Sequence, residues 1–181
     1  MNAVKSFAFL AAATALALPP LVAAQQPYAG QQAREVKALS ADEVKQYLAG
    51  AGMGYARAAE LNRYPGPMHV LDLADKLELT PAQRTSTQAL MDAHKAEARA
   101  IGAKRVEAER ALDALFASGK VDEEPLGRAV RTAAAHEGEY RLSHLETHRR
   151  MRSLLTEEQI ARYDHLRGYA AGGGHRHGTK H

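Results

Sequence analysis

Apolar residues recur at helical spacing over a long stretch in the middle of the chain. Pro81 opens this stretch, and no second proline follows until Pro125, shortly after Gly119. Proline is tolerated in the first turn of a helix and glycine is favoured just past its end, so one long helix is predicted from Pro81 to about Ser118. Its apolar stripe comprises Leu90, Ala98, Ile101, Ala108, Leu112 and Leu115 or Phe116.

A second long helix is predicted after Asp122, which can serve as its N-cap, with Pro125 in the first turn. Its apolar positions include Leu126, Val130, Ala133, Tyr140, Leu145 and Met151. The connection from Gly119 to Asp122 is so short that the two helices must run antiparallel. The pattern therefore predicts an all-α fold, namely an elongated antiparallel helical hairpin with short flanking helices.

Shorter elements precede the hairpin. Ser40 begins a Ser-x-x-Glu capping box, which predicts a helix to about Ala49 that ends at Gly50. The Pro-Gly-Pro sequence at 65–67 favours a tight bend, either as a cap folded over the hairpin or as a ligand loop. A short helix is predicted to follow from Met68 to Leu77.

The pattern Leu-Thr-x-x-Gln occurs twice, once at each end of the hairpin. Its residues are Leu79, Thr80 and Gln83 in the first copy and Leu155, Thr156 and Gln159 in the second. In a capping box of this kind the Thr hydroxyl accepts from the N3 amide, the Gln side chain reaches back to the Thr amide, and the preceding Leu can pack on the first turn. Both copies are interpreted as helix starts without a catalytic role, and the second predicts a last helix from Thr156 to about Tyr169.

The first 24 residues have the pattern of a secretory signal peptide. Lys5 is followed by an apolar run from Phe7 to Leu18 and by small residues ending at Ala24, after which cleavage is predicted. The apolar run is shorter than the ~20 residues that a membrane-spanning helix needs, and the prolines at 19–20 interrupt it. We therefore expect export rather than membrane anchoring.

Cleavage would remove 24 of 181 residues and leave 157, which is enough for one domain. Residues 25–39 are polar and aperiodic and are predicted to form a flexible leader, followed by a helical domain over 40–169. Residues 170–181 are rich in glycine and histidine and are predicted to be a disordered tail.

Composition limits the chemistry of the exported chain. Its formal charge would fall from +3 to +2, because the signal peptide carries one lysine and no acid. A charge so close to balance does not indicate nucleic-acid binding. The absence of cysteine excludes disulfides and thiol chemistry. The chain has no G-x-S-x-G, H-E-x-x-H or phosphate-loop motif, and we do not expect an enzyme. Its alanine-rich stripes bury little surface, which favours a homodimer.

The two Leu-Thr-x-x-Gln motifs around a helical hairpin resemble the Spy/CpxP family, as does the sequence from His144 through Met151 to the second motif. The resemblance covers about Leu79 to Tyr169. It implies an ATP-independent periplasmic chaperone that forms a cradle-like dimer and binds unfolded envelope proteins on its concave face. Relatives in the wider group sense or buffer metals, or restrain a sensor kinase, which would be a further partner. The segment from Ser40 to Leu77 and the histidine-rich tail depart from Spy and favour the metal-linked branch somewhat more.

Long basic side chains interrupt the apolar stripes of both hairpin helices. The candidate client-binding residues are Arg99, Arg105, Arg128, Arg131, Arg141, Arg149 and Arg152. Such side chains lay apolar stems along a helix while their charge stays in water, which suits a binder of unfolded chains. The alternative is an ordinary solvated face with i, i+4 partners, such as Glu137 with Arg141.

The nine histidines support a competing interpretation. His136, Tyr140, His144 and His148 follow one another at i+4 steps, ~6 Å of helix rise apart, on one side of a helix. His144 and His148 could share Zn²⁺ or another divalent transition metal, and a Gly/His-rich tail is typical of loose metal capture. The tail histidines are His175, His177 and His181. We therefore expect a chaperone-like binder that requires no cofactor, with metal binding, buffering or sensing as the alternative.

Overall fold

A computed structural model describes residues 27–170, which are helical and contain no strand. The helices are α1 (Ala41–Ala49), α2 (Arg57–Glu60), α3 (Pro67–Asp72), α4 (Pro81–Ala117), α5 (Glu123–Arg152) and α6 (Glu157–Leu166), preceded by a 3-10 helix at Gln31–Ala33. The predicted signal peptide and residues 171–181 of the predicted tail lie outside the described residues. Within residues 27–170, no helix is both long enough and apolar enough to cross a membrane. The all-α prediction is confirmed.

The long helices α4 and α5 form the predicted hairpin and pack along each other. Ser118 is the C-cap of α4, and Gly119 follows with φ 68°, the left-handed conformation that glycine adopts without a steric penalty. Asp122 occupies the N-cap position of α5, but its side chain makes no capping hydrogen bond. The turn is therefore fixed by the glycine rather than by the aspartate.

Two clusters of buried side chains hold the domain together. The motif core joins α3 and the two motif regions to the hairpin through Val70, Ala74, Leu77, Leu79, Leu90, Met151 and Tyr163. The α1 core joins α1 and the residues before it to the hairpin through Val36, Leu39, Tyr47, Ala98, Val106 and Tyr140. The residues that precede α4 thus pack against α4 and α5 and supply much of the core.

The residues before α1 differ from the flexible leader expected over 25–39. Val36 and Leu39 are only 1% and 6% exposed and belong to the α1 core. Lys37 pairs with Asp113 on α4 at 3.0 Å. Because Val36 and Leu39 reach the core from turns, they show no helical periodicity, and a pattern search cannot find them. Packed structure therefore begins before Ser40.

Two helix ends also differ from the predicted ones, and one short helix was not predicted. The helix expected from Met68 to Leu77 ends at Asp72, since the chain must turn to place Thr80 in the extended N-cap conformation of α4. Glu78 has φ 52° in this turn. The last helix ends at Leu166 instead of Tyr169, and the single-turn helix α2 has no counterpart in the sequence prediction.

Helix α1 crosses α4 at Gly102, where the two backbones nearly touch. A Cβ atom added to Gly102 would lie 2.1 Å from the carbonyl oxygen of Tyr47, a distance that no side chain tolerates. Close helix crossings of this kind require glycine on one partner. Towards the turn between α4 and α5, little of the chain covers the apolar stripe of the two helices, and Phe116 and Val130 are exposed.

Candidate functional site

Both Leu-Thr-x-x-Gln copies form the predicted capping boxes. Thr80 Oγ1 accepts from the Gln83 amide at 3.1 Å, and Gln83 Oε1 accepts from the Thr80 amide at 3.0 Å. Thr156 and Gln159 repeat these bonds at 3.2 and 3.0 Å. The preceding leucines, Leu79 and Leu155, both pack in the motif core. The motif residues therefore start α4 and α6, as their sequence predicts.

The two motif glutamines also bind each other. Gln83 Nε2 donates to Gln159 Oε1 at 2.8 Å, and Gln159 Nε2 donates to Gln83 Oε1 at 3.0 Å. Each amide also donates to the backbone, Gln83 to the Leu154 carbonyl at 2.9 Å and Gln159 to the Leu77 carbonyl at 3.2 Å. The motif thus ties the start of α4 to the start of α6, with every glutamine polar group satisfied.

A cavity of about 810 Å³ lies between the segment 49–69 and the hairpin. Its apolar walls include Leu61 and three of the five methionines, Met53, Met68 and Met91. Leu61 and Met68 are more than half exposed, so the cavity opens to solvent past apolar side chains. Four basic residues also line it, namely Arg57, Lys95, Arg99 and Arg167.

Four histidines line the cavity, namely His69, His94, His144 and His148, and two of them pack against each other. The rings of His94 and His144 meet edge to face with their centroids 4.5 Å apart. Ser143 Oγ lies 3.3 Å from His94 Nδ1, and His144 Nδ1 lies 2.9 Å from the carbonyl oxygen of Tyr140, to which it donates. His144 is 3% exposed, and its Nε2 is enclosed without a hydrogen-bond partner among the described residues.

Burial keeps both rings neutral at neutral pH. Desolvation lowers the pKa of His94 from 6.5 to about 4, and the neighbouring His144 and His148 lower it further by charge repulsion. Desolvation also lowers the pKa of His144. A neutral His144 ring whose Nδ1 carries the proton presents Nε2 as a hydrogen-bond acceptor.

The other predicted metal-binding histidines within residues 27–170 already have polar partners. His148 Nδ1 donates to the Tyr64 carbonyl at 2.8 Å, and His136 Nδ1 lies 2.9 Å from Glu139 Oε2. Across residues 27–170, no group of three or more His, Cys, Asp and Glu side chains is placed to hold a metal ion. The predicted tail ligands lie outside the described residues, namely His175, His177 and His181.

Most of the predicted client-binding arginines are exposed, namely Arg99, Arg128, Arg131, Arg141 and Arg149. Arg141 and the half-buried Arg152 lie over the rings of Tyr55 and Tyr64, each with its Cζ atom 5.3 Å from the ring centroid. Their apolar stems cover aromatic surface, as expected for long basic side chains. Arg128 and Arg149 pair with Glu124 and Glu146 on their own helix.

Arg105 corrects the predicted surface. It is 8% exposed, pairs with Glu109 one turn further along α4, and lies 3.4 Å from Glu137 on α5. A buried guanidinium needs such acidic partners, since an uncompensated charge in the interior is costly. Arg105 therefore joins the two hairpin helices and cannot meet a client in solution.

Sequence reasoning missed His94 and the methionine walls. His94 stands between Leu90 and Ala98 at i+4 steps, so the apolar stripe of α4 carried a signal for its burial. Met53 reaches the cavity from an irregular segment and Met68 from the first turn of the short helix α3, so neither belongs to a long periodic stripe. Arg57 sits on α2, which the sequence pattern did not reveal.

Comparison with known proteins agrees with the motif geometry. A family model described as "LTXXQ motif family protein" matches residues 67–167, more than half of the chain. No curated protein and no solved structure matches this chain. The matched region contains both capping boxes, the hairpin and the paired glutamines. The chain therefore belongs to the LTXXQ motif family, which includes the Spy/CpxP-like periplasmic proteins.

Proposed function

We propose that this protein is a periplasmic, non-catalytic and ATP-independent binder of unfolded envelope proteins. The observation that carries this proposal is the open cavity of about 810 Å³ with methionine walls and basic residues around it. Unfolded chains expose apolar side chains that native proteins bury, and an apolar cavity open to solvent can shelter them. Methionine suits varied clients because its flexible thioether adapts to different shapes.

The exposed arginines support the same function. Arg141 lies over Tyr55, and Leu142 beside it on α5 is 65% exposed. Leu142 and Arg149 are seven residues apart, which places them on one face of the helix. An apolar side chain next to basic groups offers an unfolded segment both burial and charge interactions without making the surface insoluble.

An aggregation assay tests the proposal. The full chain, without ATP and with a chelator present, should suppress aggregation of a chemically unfolded model protein at a stoichiometric ratio. Arg141→Glu and Arg149→Glu should each weaken this activity, because they reverse charge on the proposed client surface. Lys104→Glu, at an exposed position on α4 outside the predicted client-binding residues, is the charge-matched control. Wild-type protein that leaves aggregation unchanged would refute the proposal.

Metal binding is the second candidate, and the environment of His144 favours it. Its enclosed Nε2 lacks a partner, and His94 stands 4.5 Å away between ring centroids. Neutral imidazoles are ligands for Zn²⁺, Ni²⁺ and Cu²⁺. Titration with these ions should then give micromolar or tighter affinity that His144→Ala, His148→Ala or deletion after Gly172 reduces. Tight binding without suppression of aggregation would place metal handling first.

The homodimer stays part of the proposal. The hairpin end carries exposed Phe116 and Val130, and its apolar stripe is thin. Light scattering at micromolar concentration should give twice the chain mass, and a strict monomer would contradict this. A sensor kinase is a further proposed partner, which co-purification from envelope extracts would test.

A further inference from the structure

The cavity between the segment 49–69 and the hairpin has room for more than a passing apolar contact. Small-molecule sites of about 300–1,000 Å³ bury most of their ligand, and this cavity measures about 810 Å³. Methionine sulfur makes favourable contacts with aromatic rings, often at the ring edge. Walls built from Met53, Met68 and Met91 therefore fit a large aromatic side chain better than a compact polar group.

The wall of the cavity contains one unused hydrogen-bond acceptor. His144 Nδ1 is committed to the Tyr140 carbonyl at 2.9 Å, while Nε2 is enclosed and has no partner among the described residues. The accessible surface of this nitrogen is below 1 Å², so a ligand in the cavity meets the imidazole ring rather than Nε2. The packed rings of His94 and His144 add aromatic surface to the wall, and an indole ring can pack against them.

The charge around the cavity is positive. Arg57, Lys95, Arg99 and Arg167 line it, and Glu60 is the single acid among its described lining residues. Glu60 accepts from the Gly66 amide at 3.1 Å and from the Tyr163 hydroxyl, and it lies 3.6 Å from Arg167, so it offsets one of these four charges and leaves an excess of positive charge. Acidic groups on either side of a bound aromatic residue would meet complementary charge here.

Resting on the proposed function, we propose that this cavity is the anchor site for tryptophan residues within acidic segments of unfolded clients. The indole lies between the methionines and against the His94 and His144 rings, and flanking carboxylates face the basic residues around the opening. The site thereby selects among exposed segments of an unfolded chain, favouring an acidic aromatic segment over a basic or purely aliphatic one.

Peptide binding tests this assignment directly, because the protein has seven tyrosines but no tryptophan of its own. The probe is the capped pentapeptide Asp-Asp-Trp-Asp-Asp, excited at the red edge of the tryptophan band in the presence of a chelator. Full-length protein should shift its emission to shorter wavelength and raise its anisotropy in a saturable manner. Lys-Lys-Trp-Lys-Lys should bind at least about tenfold more weakly, and Asp-Asp-Leu-Asp-Asp should be a similarly weak competitor. Equal binding of the acidic and basic peptides would overturn the proposal.

Variants locate the site. Met91→Asp should reduce affinity for the acidic peptide by about tenfold or more, because it places a carboxylate in the apolar wall. Leu48→Asp is its control, at an exposed position on α1 outside the cavity lining. The exposed Arg57 and Arg99 give a second pair of variants that do not threaten folding, Arg57→Glu and Arg99→Glu, with Lys104→Glu, at an exposed position outside the cavity lining, as their charge-matched control. Unchanged binding in all three cavity variants would remove the site from the cavity.

The aggregation assay run in parallel separates the two proposals. Suppression of aggregation without peptide binding would refute the tryptophan site and leave the binder function standing. Peptide binding without suppression of aggregation would refute the binder function and leave the tryptophan site standing. Peptide binding that requires added Zn²⁺ and disappears with the chelator would assign the cavity to metal and overturn the proposal.

Discussion

Gln83 and Gln159 exchange two side-chain amide hydrogen bonds, although 76 residues separate them in the sequence. Each glutamine also closes the capping box of its own helix, so one side chain satisfies a local and a long-range requirement at once. Two helix starts with the same local geometry can present matching amides to each other. This explains physically why the motif occurs as a pair around the hairpin: each copy completes the other.

The glutamine pair predicts a measurable coupling. Gln83→Ala and Gln159→Ala should each destabilise the fold by about 2 kcal/mol, since each removes several hydrogen bonds worth roughly 1 kcal/mol apiece. The double variant should cost about 1 kcal/mol less than the sum, because either substitution already breaks the shared bonds. Urea denaturation of the wild type, the two single variants and the double variant gives the four free energies of unfolding that this double-mutant cycle requires.

Gln88 supplies the control for that cycle. It is an exposed glutamine on α4 that bonds Asp92 at 2.9 Å and has no contact with the motif pair. Gln88→Ala combined with Gln159→Ala should be additive. Strict additivity for Gln83 and Gln159 as well would contradict the amide pair.

The motif threonines should matter through stability alone. Thr80→Ala and Thr156→Ala should each cost about 1 kcal/mol, because each removes the oxygen that caps a helix. Serine at either position keeps the hydroxyl and should restore most of that loss. Thr85→Ala, inside α4, is the control with no cap to lose. A folded Thr80→Ala protein that no longer suppressed aggregation would point to direct contact by the motif.

The parts of the fold that follow from local chemistry could be predicted from the sequence. Capping boxes at Ser40, Thr80 and Thr156 and the glycine at Gly119 depend on residues within one helical turn, and all four mark the expected ends. The folding of Val36 and Leu39 onto the hairpin could not be predicted, since their partners are distant in sequence.

In the cavity, too, local features could be predicted from the sequence, whereas contacts between distant residues could not. His144 was a candidate because it stands in a row of i+4 residues, yet its partner His94 comes from the other hairpin helix. Arg105 was predicted to lie on the surface because a charged side chain is usually exposed to solvent. Its burial is tolerable only because Glu109 on α4 and Glu137 on α5 both pair with it. Methionines from a loop, from α3 and from α4 converge by tertiary packing, which no spacing rule encodes.

Acid should weaken the fold through His94. Its pKa is about 4 in the folded protein against an ordinary value of 6.5, so the unfolded chain binds more protons between these limits. Stability therefore falls as the pH drops below about 6.5, and the loss from this residue is complete near pH 4. Between about pH 7 and about pH 5 the loss should be about 2 kcal/mol, measured by urea denaturation.

His94→Gln removes this pH dependence whatever it does to stability at neutral pH. The difference between the two pH values should shrink by about 2 kcal/mol in this variant. His144, whose pKa is also lowered, contributes in the same direction and remains in the variant. His165→Asn, at an exposed position on α6, is the control. An unchanged acid sensitivity in His94→Gln would assign the effect to other groups.

Gly102 and Gly138 offer a test of how the N-terminal segment is held. Both lie inside long helices, where alanine is ordinarily more stable than glycine by about 1 kcal/mol. A Cβ at Gly138 meets nothing within 4 Å, so Gly138→Ala should stabilise the protein by up to about that amount.

A Cβ at Gly102 would collide with the Tyr47 carbonyl at 2.1 Å, so Gly102→Ala must push α1 away from α4 and open the α1 core. Hydrogen exchange should then show faster exchange of the α1 amides in Gly102→Ala alone, together with a stability loss of about 2 kcal/mol, the scale of overpacking in a core. Equal stabilisation by both substitutions would mean that α1 does not pack against α4 at this crossing.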